Sequence, residues 1–341
     1  MNARLPCIGI TVGDPGGIGP EITAKALAKR ELYRICHPLV IAEQALMREA
    51  ARIARVSVKV RPVDGPEEGI YRPGTMDVLD LGNFSLDSQR YGEITAIQGK
   101  AAFEFIHKAV DLALGGSIDA TVTGPIHKEA LHRAGYRYSG HTEIFAELTG
   151  TRDYAMMLAD GAFRVIHVTT HMSLREAIDR INSSRILKVI HLAYEALRRM
   201  GIREPRIAVA GLNPHAGESG LFGKEEIEEI LPAVRQARAD GLCLEGPLPA
   251  DTIFPKMRGG IYDIVVVMYH DQGHIPLKLL GFTVDAKSKR WVAMAGVNVT
   301  LGLPIIRTSV DHGVAFDKAG QGTANPQSMI EAIRLAAQLC G

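Results

Sequence analysis

Residues 262–278 read YDIVVVMYHDQGHIPLK. The run Ile264–Val267 is apolar and β-branched without a break, the composition of a strand buried on both faces of a parallel sheet. It stops abruptly at His270 and Asp271. The same pattern recurs upstream: FRVIHVTTH ends at His171, RIAVAGLNPH at His215, and IDATVTGPIHK at His127 and Lys128. In open parallel α/β sheets the ligand crevice lies beyond the carboxyl ends of the strands, so histidines arriving there on separate strands can meet. Imidazoles from His171, His215 and His270 would form a metal site; zinc suits such a set, and cobalt, nickel and manganese are compatible with it. His270 and His274 are four apart and imitate a zinc helix, but Asp271, Gly273 and Pro276 argue against a helix presenting both rings. The reading therefore uses His270 alone as a ligand and leaves His274 in a loop.

A chain of 341 residues fits two domains of ordinary size. Charged residues make up 23% and the formal net charge is +1, with no long like-charge run, so no nucleic-acid or anionic-membrane surface is indicated. Cys7, Cys36, Cys243 and Cys340 lie far apart and form no CxxC pair, which points to reduced thiols. No apolar stretch approaches the ~20 residues that span a bilayer, and the N-terminus lacks a signal-peptide core. The expectation is a soluble, cytoplasmic protein.

The first strand, CIGITV, leads into GDPGGIGPEI. Its glycines are not in GxGxxG order and Pro15 and Pro20 stiffen the turn, so a dinucleotide fingerprint fails; Pro20 and Glu21 read as the first turn of a helix. ITAIQGKAAFEFIHKAVDLALGG has helical spacing at Ala102, Phe105, Ile106, Ala109 and Leu112, with Gly115 and Gly116 as the stop. In SGHTE, Thr142 reads as an N-cap, and the free N–H groups behind it make His141 and Thr142 anion-site candidates. His167, between Ile166 and Val168, reads as a satisfied core histidine. GLNPHAGE displays Asn213, His215 and Glu218, and GPLPADTIF places Asp251 in a Pro-rich connection. Asn298, Arg307, Asp311 and His312 fall between apolar segments near the end of the chain. From residue 118 to 271 strands and helices alternate, which is α/β order.

The segments GITVGDPGGIGPEI, TGPIHKEAL, SGHTE, HVTTH, GLNPHAGE, MYHDQGHIPLK and VNVTLGLPIIRTSVDHG together resemble the 4-hydroxythreonine-4-phosphate dehydrogenase family over nearly the whole chain. The resemblance implies two α/β/α domains of the isocitrate/isopropylmalate dehydrogenase-like type with an active-site cleft between them. It also implies a homodimer with the active site at the subunit interface and a divalent metal held by His171, His215 and His270. The family's substrate-binding positions map onto His141, Thr142, Lys278, Asn298 and Arg307. NAD would take a hydride, NADP being compatible, and zinc, cobalt, manganese or magnesium would hold charge during loss of CO2. Asp251, Asp271 and Lys278 are the candidates for proton transfer and charge neutralisation. The expected first domain is residues 1–130 with 300–341, and the second, 131–299, carries the metal ligands and dimer contacts.

One departure from the family lies at TVDAKSKRWVAMAG, residues 283–296, a connection that is short in many relatives. RDYAMMLADGAFRVIHVTTH and HDQGHIPLKLLGF look closer to the branch acting on D-threonate or D-erythronate 4-phosphate than to the pyridoxal phosphate branch. Two alternatives stand beside this reading: a metal-dependent lyase or hydrolase without nicotinamide, and a cis-dihydrodiol dehydrogenase, against which the intact SGHTE and Arg307 argue.

Overall fold

The computed structural model describes residues 4–286, 290–294 and 296–341. The strands are, in chain order, β1 (Cys7–Thr11), β2 (His37–Ala42), β3 (Lys59–Val63), β4 (Thr75–Asp80) and β5 (Ala120–Thr123), then β6 (Ala155–Asp160), β7 (Phe163–His167), β8 (Ile207–Ala210), β9 (Leu244–Leu248), β10 (Ile264–Val267), β11 (Phe282–Asp285), β12 (Arg290–Met294), β13 (Val297–Leu301) and β14 (Ile306–Val310). The helices are α1 (Gly19–Leu27), α2 (Gln44–Ile53), α3 (Ala96–Leu114), α4 (Lys128–Arg133), α5 (His141–Leu148), α6 (Leu174–Arg180), α7 (Ser183–Arg199), α8 (Leu231–Ala239), α9 (Ala250–Arg258), α10 (His270–Gly281) and α11 (Gln327–Leu339). Among the described residues no helix is long and apolar enough to cross a membrane.

The chain forms two compact units, Met1–Asp153 with Leu303–Cys340, and Tyr154–Gly302. The crossings fall at 153/154 and 302/303, where the sequence suggested about 130 and 300. Residues 131–153 stay with the first unit because Ile144 and Phe145 of α5 pack on Ile106 and Val110 of α3.

In the first unit the strands run in the order β3-β4-β2-β1-β5-β14, all parallel. Cys7, Leu39, Ile41, Val63 and Leu79 pack with Ala109 of α3 on one face. The alternate residues Ile8, Ile10 and Val40 are fully buried as well, so both faces are covered, as a parallel sheet requires. In the second unit the order is β13-β6-β7-β10-β8-β9, antiparallel across the first two pairings and parallel across the rest. Val165, Val265 and Val267 meet Ile253 and Met257 of α9 and Leu277 of α10. β11 and β12 pair antiparallel within the 283–296 connection; Lys287, Ser288, Lys289 and Ala295 of that connection lie outside the described residues.

Pro20 opens α1 as the sequence suggested, but Glu21 does more than face the helix dipole. Its buried carboxylate pairs with Lys25 at 2.7 Å and accepts from the backbone N–H groups of Gly322 and Ala324, tying α1 to the segment that leads into α11. Glu21→Ala would leave Lys25 partly buried without its counter-charge and two amides unpaired. The expected loss is ~3–5 kcal/mol of unfolding free energy, read as a shifted urea midpoint.

Candidate functional site

β7, β10 and β8 lie side by side and parallel, with His167 opposite Val267 in register. Their carboxyl ends launch the segments that carry His171, His270 and His215. After β10 the chain enters α10 directly at His270. This corrects the sequence reading, which put His274 in a loop: His270 and His274 stack with ring centroids 3.6 Å apart on one helix. Gly273 is no helix breaker here. A Cβ at that position would lie 2.7 Å from His167 Nε2, so glycine is what lets α10 settle on β7. Pro276 removes one intrahelical donor, and the helix is held by burial of Gln272, His274 and Leu277. Gln272 accepts from Met268 N at 2.7 Å and donates to Gly211 O at 2.8 Å, fixing the helix start to the ends of β10 and β8.

His171 and His270 come together, ring centroids 5.6 Å apart. Both line a cleft of ≈ 330 Å³ with Thr170, Met172, Tyr269 and Asp271. His270 Nδ1 donates to Asp271 Oδ1 at 2.7 Å, which leaves Nε2 as the nitrogen available to a ligand. Behind them His167 is fully buried; its Nδ1 donates to Met156 O and its Nε2 has no hydrogen bond, so it is a core residue satisfied on one side only. Burial lowers its pKa to about 4, and burial together with the neighbouring His167 and His270 lowers that of His274 to about 3. Lys278 lies two turns along α10, its Nζ 5.5 Å from the Phe282 ring centroid. Asp251 sits in the first turn of α9, exposed, rather than in a Pro-rich connection; the helix begins directly after Pro249.

His215 is presented differently. Residues 215–219 all have positive φ, with His215 at φ 54°, ψ 28° and Glu218 at φ 42°, ψ 56°. Left-handed backbone costs ~1–2 kcal/mol for each non-glycine residue, so this turn is strained. Within this chain, among the described residues, no three His, Cys, Asp or Glu side chains are grouped to hold a metal ion.

In the first unit Arg307 of β14 is 2% exposed. Its Nη2 donates to Thr123 Oγ1 at 2.8 Å at the end of β5, and its guanidinium lies 5.4 Å from the Phe145 ring centroid. Burial lowers its pKa to about 9, against the opposing pull of Glu143. His141 opens α5, its Nε2 buried and without a hydrogen bond. Burial, then the Arg307 charge, drives its pKa well below the usual histidine range. The N-cap is Gly140, not Thr142, because the chain turns helical at His141; Thr142 lies in the first turn among the free N–H groups. Asn298 of β13, in the second unit, has a buried Oδ1 without a partner.

The loops after β1, β5 and β14 carry three further groups that the sequence did not single out as a set. Asp14 Oδ2, His127 Nδ1 and His312 Nε2 are buried without hydrogen bonds, and Asp14 N and Ile18 N bond to Pro125 O and Val314 O, lacing these loops together. Unsatisfied buried polar atoms of this kind suit a polar ligand. No spacing rule flags them, since the adjacency of their loops depends on strand order.

Residues 34–336 match the family model described as pyridoxal phosphate biosynthetic protein PdxA. The chain belongs to this family. It is 48% identical over 340 residues to a D-threonate 4-phosphate dehydrogenase of Cupriavidus necator, covering 99% of this chain and 98% of that one. A 4-hydroxythreonine-4-phosphate dehydrogenase structure from Klebsiella pneumoniae shares 46% identity with a TM-score of 0.86, over 100% of this chain and 99% of that one. A terephthalate 1,2-cis-dihydrodioldehydrogenase from Burkholderia xenovorans LB400 shares 31% with a TM-score of 0.69, over 98% of each. The two-unit α/β architecture is thus that of PdxA structures.

Asp14 gives a pH signature to this PdxA chain. Burial raises its carboxyl pKa from the ordinary 3.8 to about 6, opposed by the Gly16 N–H. The folded state favours the neutral acid, so its contribution is full below the unfolded value and is lost as pH rises through about 6. Asp14→Asn should match the parent near pH ~4 and exceed it by about 3 kcal/mol at pH ~8, measured by denaturant unfolding at both pH values.

Proposed function

We propose that this chain is an NAD-dependent dehydrogenase that oxidises and decarboxylates a 4-phosphorylated 3-hydroxy acid, of the D-threonate or D-erythronate 4-phosphate class, as a metal-assisted homodimer. The observation that carries this reading is the full-length likeness to the Cupriavidus necator enzyme, 48% over 99% of the chain. The lower identity to the dihydrodiol dehydrogenase, 31%, agrees with it, and so does a buried guanidinium beside His141, which suits a phosphate or carboxylate.

His171 and His270 fit a metal: two neighbouring imidazoles on one cleft, one of them oriented by a carboxylate. With His215 they would hold zinc or another divalent ion. When bound, such an ion would polarise the reacting hydroxyl and hold charge as CO2 leaves, and a nicotinamide would accept the hydride. Arg307, His141, Thr142 and Asn298 would bind the anionic and hydroxyl groups of the substrate. Asp271 is committed to orienting His270, so Lys278 and Asp251 are left to take the hydroxyl proton and return one to the carbon that lost CO2.

The homodimer part of the reading draws on where apolar side chains face water. Leu174 follows His171, Leu221 and Phe222 follow His215, and Ile275 and Leu279 follow His270; these are 48–81% exposed. A second copy covering them would also draw together histidines that one chain leaves apart.

NADH formation with added zinc or manganese tests the reaction. The sugar-acid phosphates should exceed 4-phosphohydroxy-L-threonine by about two orders of magnitude in kcat/KM; turnover without NADH would favour a lyase or hydrolase instead. His270→Ala should lose bound metal and nearly all turnover, and normal metal content in that variant would remove it from the site. Leu279→Asp should run as a monomer in sizing chromatography and lose activity with it.

A further inference from the structure

The turn that carries His215 is strained, and a buried acid lies against it. Its residues 215–219 are left-handed throughout, and in an unconstrained chain such a conformation does not persist. Glu226, 3% exposed, bonds the backbone that leads into the turn. Its Oε1 accepts from Leu212 N at 2.8 Å and Asn213 N at 2.7 Å, and its Oε2 accepts from Asn213 Nδ2 at 2.9 Å. Asn213 Nδ2 also donates to Glu225 Oε2 at 2.7 Å. The turn leaves no room between itself and this carboxylate: a Cβ on Gly217 would lie 2.6 Å from Glu226 Oε2, and one on Gly211 would lie 2.9 Å from Ala216 Cα.

Glu226 is itself anchored. It opens a π-helical turn, Glu226–Ile230, a widened helix geometry that recurs at functional sites. At the far side of that turn Glu229 accepts from Ser183 N at 2.6 Å and from Ser183 Oγ at 2.8 Å, fastening it to the start of α7. The chain of contacts thus runs from α7 through the π-turn to the Glu226 carboxylate and on to the backbone just before His215. The imidazole of His215 is exposed, with the Phe222 ring centroid 6.2 Å away, so the backbone of the turn has a large part in setting where it points.

We propose that Glu226 is a positioning residue that locks the left-handed turn and so holds His215 ready for a divalent metal, the ordering being complete before the ion arrives. The inference rests on the reading of His215 as a metal ligand. If the turn could relax, only the fraction of molecules with it formed would bind, and apparent affinity would fall by that fraction.

The test uses the full-length chain and zinc alone, with affinity measured by chelator competition and amide exchange followed over residues 212–222 in the metal-free protein. Glu226→Gln keeps the shape but turns one acceptor into a donor facing Asn213 Nδ2. Gly217→Ala presses on the same carboxylate without changing charge. Each variant should bind zinc about 10–100-fold more weakly and exchange faster over 212–222, with thermal unfolding of the remainder little changed. Parent-like zinc affinity in both variants overturns the inference, as does unchanged exchange over the turn. A parent chain that binds no zinc, or in which His215→Ala binds as tightly, overturns the metal reading itself, and the inference falls with it.

Discussion

The contact between Gly273 and His167 governs the geometry of the second unit's site. With no side chain at 273, α10 lies directly on the end of β7; any Cβ would meet His167 Nε2 at 2.7 Å. Only in that position does Gln272 reach both Met268 N and Gly211 O, and only then do His270 and His171 share one cleft. A shift of α10 would break two hydrogen bonds of a buried amide, at ~1–3 kcal/mol for each group left unsatisfied, and would part the two imidazoles. A helix start, a strand end and a loop are thereby fixed to one another by a glycine and a glutamine that never touch the cleft.

The histidines of this region divide by burial, and the division has an electrostatic consequence. His167 and His274 are buried and neutral at physiological pH, with pKa values of about 4 and 3. They fill the space behind His270 without adding positive charge there. Protonated imidazoles in the same places would oppose a cation in front of them. His171, His215 and His270 keep enough exposure to act as donors. The stack of His274 on His270, closed by the bond from His274 Nδ1 to His270 O at 3.0 Å, also restricts the front ring to one orientation. Two distinct devices thus present exposed imidazoles on stiff backbone: a helix start backed by neutral rings, and a left-handed turn backed by a carboxylate.

Much of this was legible in the sequence, and the failures share a cause. The buried strand Ile264–Val267, the helix stopped by Gly115 and the Pro20 helix start follow from period and punctuation, which are local. Local rules failed where tertiary contact reverses their sign. Gly273 and Pro276 weaken a helix in water, yet packing of Gln272, His274 and Leu277 holds that helix and makes Gly273 a requirement. Glu21 looked like a dipole partner because its actual partners, the amides of Gly322 and Ala324, are remote in sequence. Nothing in GLNPHAGE announces three non-glycine residues with positive φ, and the acid that backs them, Glu226, is thirteen residues beyond Asn213. Asp14, His127 and His312 were invisible as a set because only the strand order β1-β5-β14 brings their loops side by side.

In a homodimer completed as proposed, association and metal binding are one linked equilibrium. The apolar side chains after His171, His215 and His270 leave a monomer with Leu279 81% and Leu221 73% exposed. Burying one such side chain is worth ~1.5–3 kcal/mol, so the pairing has a driving force of its own. An ion that needs histidines from both copies binds the dimer and not the monomer, and by mass action each process then strengthens the other. That coupling changes what preorganisation must do. Contacts between copies set the distance between elements, and through Leu221 and Phe222 they reach the flank of the His215 turn only once the dimer forms. Before association the turn has only its own chain to hold it, and the buried Glu226 carboxylate is the group we place in that role.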